Sequence, residues 1–342
     1  MKKQLLPQKR NFYKANMHLH TTLSDGKMTP EEVKAAYKAE GYSIIAFTDH
    51  EVIVDQKALR DESFLPITSL EVSFSEKDPS LIGSERKCYH LNLYAKEEGN
   101  TVSPIFSEAA IWNRIEHLKE YVTDEMRQHD APRQYDVALI NEMIAKANAA
   151  GFLVSYNHPV WSQQNYTDYA PLKGIWGVEV YNSECVHLGQ PDTVQPYDDL
   201  LRLGNRIYPL ATDDMHSARS CFGGWLMVSA DRLDYGEVMT ALEKGDFYAS
   251  TGPEIYEISV EDGIVHVSCS PAAHVSVSTE CREARRISAG ETPVTDASFG
   301  LSKYFANAQN RECRHEPYFR VTVTDASGKS AWSRAYFSNE WN

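Results

Sequence analysis

At 342 residues the chain exceeds one ordinary small domain and fits a barrel of about 250 residues plus a smaller module. A hydrophobic fraction of 42% can fill a sizeable core, and a formal net charge of −14 argues against duplex nucleic acid as a partner, since neutralising its phosphates needs a basic face. Small anionic ligands stay open, because bound cations invert the local field.

The opening MKKQLLPQKR is positively charged but has no apolar stretch long enough for a signal peptide, and no run anywhere approaches the ~20 apolar residues that span a bilayer. The expectation is a cytoplasmic protein with no membrane partner. From residue 16 onward, strand-like runs alternate with helix-like ones. Strands are expected at 16–21, 43–48, 66–74, 88–94, 152–157, 177–181, 206–211 and 225–230. Several are continuously apolar, as parallel strands buried on both faces are. Thr29 can cap a helix that begins at Pro30, with Glu32 completing a capping box and Gly41 ending it. Asp136 leads into a second helix stopped by Gly151, and Asp234 with Glu237 opens a third that ends near Gly245. This alternation predicts a parallel α/β barrel or sheet.

Residues 97–135 break the rhythm. Ile111, Ile115, Leu118 and Val122 fall at helical spacing and predict an amphipathic helix. The segment also carries Trp112, Arg114 and Arg133. It reads either as a covering helix with solvated charges or as a lid that places an arginine over a bound anion. After Gly252-Pro253, alternating runs around Asp262-Gly263 and again before Asp325–Gly328 predict a small antiparallel β module, most simply a sandwich. That module, 252–342, is also a place where the chain could self-associate. The cysteines at 88, 185, 221, 269, 281 and 313 form no C-x-x-C pair, which points away from a zinc ribbon or a dithiol redox site.

Nine side chains that bind metals stand along the first two thirds: His18, His20, Asp25, His50, Glu71, His90, His158, Asp214 and His216. In a strand the two rings of His18-Leu19-His20 face one side, and the polar turn 21–26 brings Asp25 back to the same end. The apolar run 44–47 delivers His50 at its mouth. Glu71 sits inside an apolar run, where a carboxylate needs a cation. His90, His158 and the D-x-H pair Asp214 and His216 repeat the pattern. Each alone is better explained as a hydrogen-bonded core residue; together they predict a polynuclear metal centre, and with it hydrolysis.

The segments HLHTTLSDG, FTDH, the Glu71 strand, YHLNLY, NHP and DDMH resemble the ligand motifs of the PHP superfamily (polymerase and histidinol phosphatase domains), over roughly residues 10 to 250. The resemblance implies a distorted (β/α)7 TIM-like barrel over residues 1–251, a trinuclear site at its C-terminal mouth, and phosphoesterase activity on a small phosphorylated metabolite or nucleotide. His18, His20, Glu71 and Asp214 would hold one metal; Glu71, His90 and His158 a second; Asp25, His50 and His216 a third. Asp25, where some members of the family have His, resembles the branch that hydrolyses small nucleotide or sugar phosphates. Two to three divalent ions are implied, and imidazole with carboxylate suits Mn, Fe or Zn. A water bridging two ions would attack phosphorus in line, with Asp25, His50, Glu71 and His216 taking part. Asp49 and Asp213 would orient a ligand or a water, and Glu179 either does the same or pairs with an arginine. Arg219 either grips a phosphate oxygen or is a solvated loop residue; Arg114 and Arg133 are further candidates for binding substrate. Two alternatives remain: hydrolysis of a non-phosphate bond by the same centre, and a non-catalytic module stabilised by metal.

Overall fold

Reciprocal capping starts the first helix as the sequence predicts. Glu32 N–H donates to Thr29 Oγ1 at 3.2 Å and Thr29 N–H donates to Glu32 Oε2 at 2.9 Å, opening the helix Pro30–Ala39 with Val33 and Tyr37 buried. Asp136 caps Val137–Ala149 and Asp234 caps Tyr235–Lys244, which ends at Gly245 with φ 72°, a left-handed cap that favours glycine. The computed structural model describes residues 2–7, 9, 11–191, 193–310 and 316–341; Cys313 lies outside these. Among the described residues no helix is long and apolar enough to cross a membrane.

The fold is mixed α/β and built on two sheets. Strands β1 (Lys3–Leu6), β2 (Asn11–Asn16), β3 (Tyr42–Phe47), β4 (Leu65–Ser75), β5 (Cys88–Ala95), β6 (Phe152–Tyr156), β7 (Gly177–Asn182), β8 (Tyr208–Thr212), β9 (Trp225–Ala230) and β10 (Phe247–Ser250) precede the β-rich part. Eight of them hydrogen-bond in the order β9-β2-β3-β4-β5-β6-β7-β8. The runs β2-β3-β4 and β6-β7-β8 are parallel, as apolar strands alternating with helices should be. β5 departs from the expected all-parallel pattern and runs antiparallel to both β4 and β6. Residues 76–87, between β4 and β5, hold only a short 3-10 turn, and Glu76 N–H donates to Lys87 O at 3.0 Å, so the chain reverses as a hairpin instead of crossing over. β8 packs beside β9 and β10, with the rings of Tyr208 and Phe247 5.6 Å apart, but no ladder joins β8 to β9 among the described residues.

Strands β11 (Ile255–Glu261), β12 (Ile264–Ala272), β13 (His274–Thr279), β14 (Ala284–Ser288), β15 (Val294–Gly300), β16 (Tyr318–Thr324), β17 (Ser330–Ser333) and β18 (Tyr336–Phe337) are all paired antiparallel. The Asp262-Gly263 turn has φ 49° and 77°, as a two-residue hairpin of this twist needs. The smaller sheet runs β1-β11-β12-β15, and the order β14-β13-β16-β17 continues the large sheet through β10. Ile258, Val260, Val265 and Val267 of the first share an apolar cluster with Val275, Val277, Val321 and Val323 of the second.

Two local expectations change. The strand expected at 16–21 ends at Asn16, so His18 and His20 lie just past it, in extended chain where Leu19 bridges Met215. Residues 111–122 do not form one amphipathic α-helix. They form 3-10 turns at Glu108–Ala110 and Asn113–Tyr121, interrupted at Ile115 (φ −117°, ψ 19°), with no side-chain cap to start a longer helix. The apolar spacing still does its work: Ile111, Ile115 and Leu118 are buried with Val52, Phe106 and Met126.

Candidate metal centre

All nine predicted ligands converge at one end of the β2–β8 strands, where the chain leaves each strand or, at Glu71 and His90, where β4 lies beside the reversed β5. The ring nitrogens and carboxylate oxygens face one another at distances too long for good hydrogen bonds. His20 Nε2 lies 3.3 Å from His18 Nε2, 3.3 Å from Glu71 Oε2 and 3.2 Å from Asp214 Oδ1, while His18 Nε2 lies 3.3 Å from both Glu71 Oε1 and Asp214 Oδ1. Donors placed about 2.1 Å from one ion in a tetrahedral arrangement sit about 3.4 Å from each other, so these spacings fit side chains that could share a cation. Glu71 Oε1 also lies 3.2 Å from His90 Nδ1 and 3.5 Å from His158 Nε2. Asp25 Oδ1 is 3.4 Å from His216 Nε2, 3.6 Å from His50 Nε2 and 3.8 Å from His20 Nδ1.

A surrounding ring of hydrogen bonds aims the imidazoles. Glu179 takes the Nδ1 side of His18 at 2.7 Å, leaving Nε2 to face the centre, and also accepts from Thr212 Oγ1, His158 N–H and Asn182 Nδ2. His216 Nδ1 faces Asp214 O at 2.9 Å and His158 Nδ1 faces Ser162 Oγ at 3.2 Å, so each turns Nε2 inward. Asn157 Nδ2 donates to Glu71 Oε1 and Asn182 Nδ2 to Asp214 Oδ2. Replacing Glu179 by glutamine puts an amide among four donors; metal affinity is expected to fall about 10–100-fold, as loss of such partners does elsewhere. A titration of metal-stripped Glu179→Gln that gives the wild-type affinity rules this role out.

Two observations mark the site as built for cations. Asp214 Oδ1 and His50 Nδ1 are buried without a hydrogen-bond partner. Asp214 and His158 hold positive φ values of 49° and 25°, uncommon for residues other than glycine and typical of strain retained at functional positions. Burial alone would lower the His20 imidazole, but the Asp214 and Glu71 carboxylates hold it up at about 10. For Asp25, Glu71 and Asp214, burial pushes the carboxyl up, yet the imidazoles win and hold all three ionised. At pH 8 the metal-free protein therefore carries a proton on His20 that a ligand cannot keep. Metal loading at that pH is expected to release at least one proton per protein, visible as a buffer-dependent heat in calorimetry; a heat independent of the buffer counts against it.

The remaining candidates are placed as follows. Asp49 does not touch His50; it accepts from Thr21 N–H, Thr21 Oγ1 and Ser24 Oγ, and so holds the turn that carries Asp25. In that turn a Cβ on Gly26 would fall 2.2 Å from His20 O, so only glycine fits. Asp213 faces away from the ligands: burial pushes its carboxyl up to about 6 while it accepts from Tyr37 Oη and from the N–H groups of Phe222, Gly223 and Gly224. Arg114 is exposed and lines the cavity above the ligands. Arg133 is buried against Glu51 and does not line that cavity; Arg219 pairs with Glu184, which does. Sequence reasoning missed Trp161, Glu184, Asn157, Asn182 and Thr212. The signal available was position: each stands at or just beyond the end of β6, β7 or β8, beside a ligand or Glu179.

The PHP domain model matches residues 16–203. Among solved structures, a two-domain protein from Bacteroides vulgatus containing a predicted PHP-like metal-dependent phosphoesterase is similar at 14% identity, over 98% of this chain and 97% of its own, with a TM-score of 0.42. An amidohydrolase from Chromobacterium violaceum with bound sulfate and no metal is similar at 16% identity, over 60% of this chain and 88% of its own, with a TM-score of 0.37. No curated protein matches.

Proposed function

The chain belongs to the PHP domain family, and from that premise we propose that it hydrolyses phosphate esters of a small metabolite at a trinuclear metal site. The nine-ligand set around Glu71 carries this reading. His18, His20, Glu71 and Asp214 would hold one ion; Glu71, His90 and His158 a second; Asp25, His50 and His216 a third. When bound, divalent ions of the Mn, Fe or Zn type acidify water and act as Lewis acids toward phosphoryl oxygens.

The chain's own groups do the rest. Glu71 Oε1 faces His18, His90 and His158 and its Oε2 faces His20 and His50, so one carboxylate sets the spacing of five imidazoles. Glu179 locks the His18 tautomer, and Asn182 holds the Asp214 carboxylate in register. Only three carboxylates, those of Asp25, Glu71 and Asp214, belong to the ligand set, so a loaded centre keeps a positive surplus that suits a phosphate dianion. Arg114 is exposed at the cavity and without a carboxylate partner among the described residues, and in this reading it would meet that anion. We read the β2–β9 strands as a distorted (β/α)7 barrel over residues 1–251 and residues 252–342 as an accessory sandwich. Metal-stripped protein reconstituted with Mn²⁺ is expected to release phosphate from a panel of monoesters. Turnover of amides or lactones with no phosphate release shifts the assignment to another bond, and no turnover of either class at full metal occupancy ends the hydrolase reading.

A further inference from the structure

The cavity above the ligands encloses about 590 Å³, a size that holds an organic molecule and not inorganic phosphate alone. Its ligand floor is polar, and its walls are mixed, with Trp112, Trp161 and Leu188 beside Arg114 and Glu184. Trp161, from the loop after β6, stands edge-on to His158 at 5.0 Å and 5.5 Å from His90 between ring centroids. Trp112, also on the cavity, meets His50 at 4.8 Å, edge-on. Trp161 keeps 40% of its surface exposed and Leu188, on the same cavity, 52%. Large apolar side chains left open beside a charged centre mark a surface waiting for an apolar partner. Both indoles are braced by metal-ligand candidates, so their faces are pre-positioned and cost little entropy to use.

We propose that the half of the substrate remote from its phosphate is a planar aromatic group, which stacks on Trp161 and packs against Leu188 while Arg114 and the metal centre take the anion. The inference rests on the hydrolase reading for the phosphate half, but the aromatic platform can be tested without turnover. An aryl group and a nucleobase share this chemistry, and each needs its own probe.

The probes are phenylphosphonate, a nucleoside phosphonate and methylphosphonate, none of which is hydrolysed, titrated calorimetrically into metal-loaded protein. Stacking is expected to make at least one aromatic probe bind about tenfold more tightly than methylphosphonate. Trp161→Ala should remove that preference and Trp161→Phe restore most of it, with metal content measured in each variant. Preference for phenylphosphonate alone assigns a simple aryl group; preference for the nucleoside probe alone assigns a base. Equal affinity for all three in the wild type, or a preference that survives Trp161→Ala, overturns the proposal. A preference that behaves as expected in a protein that hydrolyses no phosphate ester leaves the platform standing and rejects the phosphatase reading instead. In an active enzyme the ratio of kcat/KM for the phosphate ester of the assigned aromatic group to that for glycerol phosphate should fall about tenfold in Trp161→Ala.

Discussion

His20→Ala is expected to lower phosphate-ester turnover by at least about a thousandfold, the equivalent of several kcal/mol of charge stabilisation. The two ring nitrogens of His20 face different parts of the centre: Nε2 looks onto Glu71, Asp214 and His18, and Nδ1 onto Asp25. It belongs to two of the groups of side chains close enough to share an ion. Its loss therefore disturbs more than one site, and metal content should fall together with activity. The ring is fully buried, so the variant must be checked for folding by circular dichroism and thermal unfolding. A folded His20→Ala protein that has lost metal yet turns over at the wild-type rate would separate hydrolysis from this centre altogether.

Arg133→Met should cost about 3–5 kcal/mol of stability, the usual result of stranding one member of a buried ion pair. Arg133 Nη2 lies 2.9 Å from Glu51 Oε2, and the two side chains are 7% and 0% exposed. Glu51 has φ 62° and follows His50 directly; its other oxygen accepts from Ser73 N–H and Oγ, and its N–H donates to Glu71 O at 2.7 Å. The pair thus fastens a strained corner that sets His50 beside Glu71. Denaturant midpoints measure the loss. Combining Arg133→Met with Glu51→Leu removes both charges and should recover much of it, because neither is then buried alone. A single-variant cost below about 1 kcal/mol falls in the range of surface pairs and would show that the clamp carries no weight.

The convergence of the nine candidate side chains was legible because metal chemistry restricts residue types and strand ends restrict position. His50 after the run 44–47 and Asp214 after β8 could be read from one-dimensional pattern alone, and D-x-H spacing was enough to prefer Asp214 over Asp213, which the fold turns toward Tyr37 and the 222–224 turn. What could not be read depends on who meets whom across long separations. Glu179 finds His18, and Arg133 finds Glu51, only once the strands are laid side by side. The reversal of β5 was hidden because an apolar strand buried on both faces looks the same in either direction. The 3-10 turns at 108–121 were hidden because the spacing of Ile111, Ile115, Leu118 and Val122 is that of an α-helix, and the break at Ile115 leaves no mark on it.

The pairing of β1 with β11 sets Lys3 opposite Val260, and β10 joins β17 through Tyr248 opposite Ser333. β1 therefore cannot pair until Ile255–Glu261 has been made, by which point every candidate ligand, from residue 18 to residue 216, is present. Closure at such sequence distance is slow, because the loop entropy is lost before the ladder rewards it. The nascent chain thus has an interval in which the candidate ligands can meet while two seams, β1 on β11 in the smaller sheet and β17 on β10 in the large one, are still open.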